Sequence, residues 1–149
     1  MMRGIVTVLN TPFTKDDRID TAGLQRNTAE ALAAGVAGFL VNAKAAEAHK
    51  LSVAERAEVA GAVCGAVDGA VPVVVSVSAP SAPERLRLAR DALRAGADGL
   101  LYAPEHPAPD AVRAALHALA ELGPGFLMLQ DWATQGAGLP LDLILALLD

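Results

Sequence analysis

Five short runs of apolar, largely β-branched residues alternate along the chain with longer stretches in which apolar positions recur every three or four residues. The runs predict strands at residues 5–9, 39–41, 73–77, 100–102 and 126–129, and the stretches predict helices between and after them. Such alternation is the mark of a parallel sheet, because a parallel neighbour can be reached only by a connection that carries the chain back to the same end. The strand starts fall about 26–34 residues apart, the length of one strand-plus-helix unit.

Cap residues sharpen the helical reading. Ser52-Val53-Ala54-Glu55 and Ser81-Ala82-Pro83-Glu84 both have the spacing of a capping box, in which a hydroxyl and a carboxylate reciprocally satisfy free N–H groups of the first turn. Behind the first box, Val53, Ala57, Ala60, Cys64 and Val67 share one helical face; behind the second, Leu86, Ala89 and Leu93 do so. Gly35, Gly96 and Gly123 follow helical runs where a left-handed C-terminal cap is wanted. Asp110 is placed to cap a fourth helix carrying Val112, Leu116 and Leu119, and Pro140 opens a fifth.

The stretch from Ala31 to Leu40 matches that from Ala92 to Leu101 at six of ten positions, with an offset of 61 residues, or two units. Either one helix–turn–strand joint is used twice, as in a barrel, or two Ala- and Gly-rich joints resemble each other by composition. Two α/β architectures fit the order of elements. A five-stranded doubly wound sheet is complete in 149 residues, whereas an eight-stranded barrel needs about 250. Length alone favours the sheet.

Composition narrows the function. Hydrophobic residues make up 53% of the chain against 19% charged, which excludes intrinsic disorder. Twelve Lys and Arg against seventeen Asp and Glu give a net charge of -5 and no basic stripe for a phosphate backbone, so no nucleic-acid partner is expected. The single cysteine, Cys64, excludes an intrachain disulfide and a Cys-rich metal site; the cytoplasm is the expected compartment. No membrane span is expected, since the apolar stretch from Leu139 to Leu148 contains Pro140 and Asp142 and is shorter than the ~18–20 residues a bilayer requires. The apolar run near Ile5 is likewise too short for a signal-peptide core of roughly 7–15 residues.

In either architecture the chemistry belongs at the carboxyl ends of the strands. The residues found there are Asn10 and Thr11; Asn42, Lys44 and Glu47; Ser76 and Ser78; Tyr102, Glu105 and His106; and Gln130, Asp131 and Trp132. No Gly-x-Gly-x-x-Gly follows a strand and no Gly-Lys-Ser/Thr occurs, which disfavours nucleotide binding. Asp16-Asp17 is read as a solvated turn, because an acidic phosphoacceptor pocket would also need an Asp after the third strand, where Ser76-Val77-Ser78 stands. His49, His106 and His117 lie in different units, so no metal site is expected, and His117 is read as a helix-surface residue.

Several landmarks occur in order over essentially the whole chain: Thr11-Pro12-Phe13, Glu47 followed by Leu51-Ser52-Val53-Ala54-Glu55-Arg56, Val71-Pro72-Val73-Val74-Val75, and Ala95-Gly96-Ala97-Asp98-Gly99. In this respect the sequence resembles the dihydrodipicolinate synthase and N-acetylneuraminate lyase family. The resemblance implies a (β/α)8 barrel, so that residues 1–149 form a single partial domain of about five units. It also implies class I aldolase chemistry without a cofactor. In the family, a lysine at the sixth strand forms a Schiff base with pyruvate or another 2-oxo acid, a tyrosine after the fifth strand relays protons, and a Gly-Thr-Thr-Gly-Glu loop after the second strand holds the substrate carboxylate.

This chain departs from that pattern. The loop reads Ala43-Lys44-Ala45-Ala46-Glu47, keeping only the glutamate, to which the resemblance gives a loop-bracing role. Gln130 stands at the position of the family tyrosine; it can orient a carbonyl but cannot exchange a proton near neutral pH. A further family tyrosine falls near His106, whose imidazole titrates in a range suited to proton transfer. The Schiff-base lysine would fall beyond Asp149, and of Lys15, Lys44 and Lys50 only Lys44 maps to the active face. An ordinary lysine amine is neutral in only about one molecule in 2,500 at pH 7, so Lys44 is read as a cation for a ligand carboxylate rather than a nucleophile. The expected substrate-binding residues are Thr11, Lys44, Ala45 and Asp131, with Gln130 and His106 as catalytic candidates. Five units cannot close a barrel, so the expected partners besides the oxo acid are a second copy of the chain or a complementary half.

Overall fold

Every predicted strand is present, and each pairs in parallel with the next one in sequence. The computed structural model describes residues 2–104, 108–131 and 138–147. In chain order it contains β1 (Val6–Val8), α1 (Thr21–Ala33), β2 (Gly38–Val41), two 3-10 turns (Lys44–Ala46 and Ala48–Lys50), α2 (Val53–Val67), β3 (Val73–Ser76), α3 (Ala82–Arg94), β4 (Gly99–Tyr102), α4 (Pro109–Ala120), β5 (Phe126–Leu129) and α5 (Leu141–Ala146).

The sheet order is β1-β2-β3-β4-β5. A doubly wound sheet must reverse direction at a switch point, and this one does not, which overturns the alternative that length favoured. With right-handed crossovers throughout, an unreversed order keeps the helices on one face, the arrangement of a barrel wall. The three central strands β2, β3 and β4 are largely buried, whereas β1 and β5 at the edges are only partly so. Phe39, Val41, Val73, Val75 and Leu100 pack toward the helices, with Leu24, Val59, Val63 and Leu119 opposite them. Val74, Leu101 and Ala103 form a smaller cluster on the inner face with Leu40, Phe126 and Met128, which are only partly covered.

The repeated joint is structural, not merely compositional. Gly35 and Gly96 both take left-handed backbone after their helices, at φ +82° and +98°. Gly38 and Gly99 then begin β2 and β4 where no side chain fits: a Cβ on Gly38 would lie 2.9 Å from the Pro72 carbonyl oxygen, and one on Gly99 would strike the Phe126 ring.

Ser52 and Glu55 form the complete reciprocal capping box, whereas Ser81 accepts from the Glu84 N–H at 3.3 Å. Three local expectations need correction. Helix α4 begins at Pro109 behind Ala108, so Asp110 lies inside the first turn, where its charge meets the helix dipole without capping. In α2, Ala60, Cys64 and Val67 are buried as expected, but Arg56, Val59 and Val63 are buried with them while Val53 and Ala57 are only partly so, because the face includes an arginine that turns inward. In α3 the buried residues are Leu88, Ala89 and Ala92, with Leu86 and Leu93 packed at the margins. Asp20 caps α1 by accepting from the Gly23 N–H at 2.8 Å. His117 is exposed on α4, and Asp16 and Asp17 are exposed in a turn. Among the described residues, no helix is long and apolar enough to cross a membrane.

Candidate functional site

The loop after β2 is shaped by two left-handed residues. Asn42 (φ 56°) ends the strand and Glu47 (φ 53°) separates the two 3-10 turns, so the chain folds back on itself within five residues and leads directly into the Ser52 cap. Asn42 is buried, and its Nδ2 donates to the Arg56 carbonyl oxygen at 2.8 Å. The Glu47 side chain is exposed and pairs with Lys50 Nζ at 2.6 Å. The Lys50 hydrogen bond, and secondly its charge, hold the Glu47 carboxyl below the usual carboxylate range.

Arg56, in the first turn of α2, reaches across to the end of β3. Its Nη2 donates to the Ser76 carbonyl at 2.8 Å and its Nη1 to the Ser78 carbonyl at 2.9 Å. The residue is 6% exposed, and burial depresses the guanidinium below its ordinary value while the charge of Glu84 acts in the opposite sense. Ser78 Oγ accepts from the Ala103 N–H at 2.8 Å and lies 3.3 Å from Ser76 Oγ, extending the network to the end of β4.

These residues surround a cavity of about 260 Å³ lined by Asn42, Lys44, His49, Arg56, Ser76, Ser78 and Glu84, among others. Its two cations, Lys44 and Arg56, face hydroxyls and one carboxylate, a lining suited to a small polar or anionic molecule. A second cavity of about 330 Å³ lies between the β1 and β2 loops and is lined by Thr11, Phe13, Ala45 and Glu47. A third, about 670 Å³ and mainly apolar, runs along β5 between α4 and α5 and includes Asp131.

The expected substrate-binding residues therefore share one end of the sheet but not one cavity. Lys44 lines the first, Thr11 and Ala45 the second, and Asp131 the third. The Asp131 carboxylate accepts from the Leu139 N–H at 3.0 Å. Gln130 donates its backbone N–H to the Tyr102 carbonyl at 2.9 Å, and its side-chain Oε1 is buried without a hydrogen-bond partner among the described residues. Tyr102 faces the helices, with the Arg85 guanidinium 4.9 Å from its ring centroid. His106 and Trp132 lie outside the described residues, as does Glu105. Arg56 is the residue that sequence reasoning passed over: it closes the Leu-Ser-x-x-Glu-Arg landmark, and an arginine falling among inward positions of α2 was the available signal. Among the described residues no three His, Cys, Asp or Glu are grouped to hold a metal ion.

The sequence profile of the Dihydrodipicolinate synthetase family matches residues 1–105. A 4-hydroxy-tetrahydrodipicolinate synthase of Methanosarcina mazei is 36% identical over 152 aligned residues, covering 99% of this chain and 51% of that protein. Among solved structures, the dihydrodipicolinate synthase of Bacteroides thetaiotaomicron superposes with a TM-score of 0.87 at 31% identity, covering 97% of this chain and 50% of that one. A prophage protein of the dihydrodipicolinic acid synthase family from E. coli K12, in complex with pyruvate, superposes with a TM-score of 0.81 at 26% identity, covering 87% and 44%. The chain spans about half the length of these relatives.

Proposed function

Since this chain belongs to the dihydrodipicolinate synthetase family, we propose that it forms the first five units of a barrel that acts on pyruvate or another 2-oxo acid as a class I aldolase-type lyase. The observation that carries this reading is the single winding of the sheet, which gathers Thr11, the Lys44 loop, Ser76, Ser78 and Gln130 at the carboxyl ends of β1, β2, β3 and β5. The Schiff-base lysine comes from sequence outside these five units, and the five units alone do not turn over. Lys44 pairs the substrate carboxylate where the family loop has hydroxyls, and Thr11, Ala45 and Asp131, which line neighbouring cavities at the same end of the sheet, contribute to substrate binding from there. Gln130 orients a carbonyl, His106 supplies the titratable group, and Glu47 braces the loop through Lys50. No cofactor is needed for this chemistry. The protein works in the cytoplasm as a homo-oligomer or with a complementary half-barrel covering the inner face.

Borohydride trapping of pyruvate on a chain that includes the sixth strand tests the catalytic reading: a covalent adduct on a lysine there is expected, and its absence sinks the reading. A second reading, a catalytically silent oxo-acid binder or structural partner chain, is favoured by the Ala43-Lys44-Ala45-Ala46 sequence and by Gln130 in place of tyrosine. It predicts saturable pyruvate binding that Lys44→Ala abolishes, without turnover at any chain length.

A further inference from the structure

We propose that Arg56 is a positioning residue that sets the loop carrying Lys44 against the ends of β3 and β4; the effect on ligand rests on the oxo-acid reading above. Residue 56 is held from both its ends. Its backbone carbonyl receives the Asn42 amide, fixing the left-handed turn from which the 43–47 loop departs. Its guanidinium donates to the Ser76 and Ser78 carbonyls, and Ser78 Oγ in turn accepts from the Ala103 N–H. Arg56 thus ties the end of β2, through Asn42, to the end of β3, and Ser78 Oγ extends the tie to the end of β4.

The chemistry of the side chain argues that geometry, not stability, is what it provides. Arg56 is buried and makes no direct ion pair among the described residues, the Glu84 charge acting only from across the cavity, and a buried charge without a contacting carboxylate costs free energy that an apolar side chain of similar size would not. What an apolar residue cannot do is donate to two carbonyls at once. The planar fork of guanidinium matches the Ser76 and Ser78 oxygens at 2.8 and 2.9 Å, whereas a lysine ammonium is a single point on a flexible stem. Lys44 lines the same cavity as Arg56, Asn42, Ser76 and Ser78, so a shift of the Asn42 turn moves the ammonium relative to the hydroxyls opposite.

The test uses the full chain and three variants, Arg56→Met, Arg56→Lys and Arg56→Gln, each read by thermal midpoint, backbone amide exchange and pyruvate titration. Expected in all three is faster exchange in residues 43–51 and 77–79, with the amides of β3 and β4 exchanging as in the parent. Pyruvate affinity is expected to fall about tenfold, the equivalent of one lost buried hydrogen bond. Arg56→Lys is expected to recover thermal midpoint more than affinity, a split that a merely structural role does not produce. Equal loop exchange in the parent and in whichever variants fold overturns the proposal, as does loss of stability in proportion at every amide. If the parent itself binds no pyruvate, the oxo-acid reading fails while the exchange pattern still decides the role of Arg56.

Discussion

Asp98 closes the joint between α3 and β4 by bonding Val73 twice: its carboxylate accepts from the Val73 N–H at 2.8 Å, and its own N–H donates to the Val73 carbonyl at 2.9 Å. Its carbonyl then accepts from the Gly125 N–H at 2.9 Å, so one residue sets the start of β3, β4 and β5. Asp98→Ala leaves the Val73 N–H without its acceptor, and a loss of about 1–3 kcal/mol is expected. Urea unfolding checks this, and Asp98→Asn, which keeps an acceptor oxygen, should lose less.

Gly99→Ala is expected to destabilise by about 1–3 kcal/mol, because the added methyl lands on ring atoms of Phe126 and overfills the inner face. Phe126→Leu in the same chain should return part of that loss. A double-mutant cycle measures the coupling, and simple additivity would show that the two residues do not compete for space.

The α2 cap gives an acid-side prediction. The Ser52 hydroxyl first, then its backbone N–H, hold the Glu55 carboxyl below the usual carboxylate range, and Lys50 does the same for Glu47. A carboxylate whose folded pKa is depressed contributes stability that is present above its unfolded value and is lost as pH falls through its folded value. Urea midpoints taken from about pH 6 down to about pH 3 should therefore decline, and Glu55→Gln should flatten part of the slope. Ser52→Ala should cost about 0.5–2 kcal/mol near neutral pH.

Cys64 is expected to be unreactive while the chain is folded. Burial, reinforced by the negative charge of Asp98, pushes its thiol up to about 11. Because the neutral form is favoured, this contribution to stability is intact below the unfolded thiol value and fades as pH rises toward the folded one. Alkylation near pH 8 followed by mass should label urea-unfolded chain and leave native chain unlabelled; equal labelling rates would contradict the burial.

Much of the fold was legible in particular residues. β-Branched runs such as Val73-Val74-Val75 mark strands because both faces of a parallel wall are apolar, and Ser52 with Glu55 marks a helix start because their side chains satisfy local donors. The phase of α2 was legible at Ala60, Cys64 and Val67 but not in its first two turns, since counting apolar residues does not anticipate an arginine buried by its bonds to a strand end 20 residues away. The end of the sheet where Thr11, Lys44, Ala45 and Asp131 gather follows from topology, whereas the division of Lys44 and Ala45 between two cavities goes with the left-handed turns at Asn42 and Glu47 on either side of them. Neither residue is a glycine, and a left-handed turn without glycine leaves little trace in a sequence.

Nearest-neighbour pairing of the strands also governs how the chain can acquire its shape. Each register joins residues of adjacent units, such as Val6 with Gly38, Phe39 with Val73, Val74 with Gly99 and Gly99 with Phe126, and among the described strands every pairing is of this kind. The entropy of loop closure is met in instalments of about 25–34 residues instead of once over the whole length. A chain emerging from the ribosome can thus order β1, α1 and β2 before β4 exists, adding one unit at a time to a growing wall.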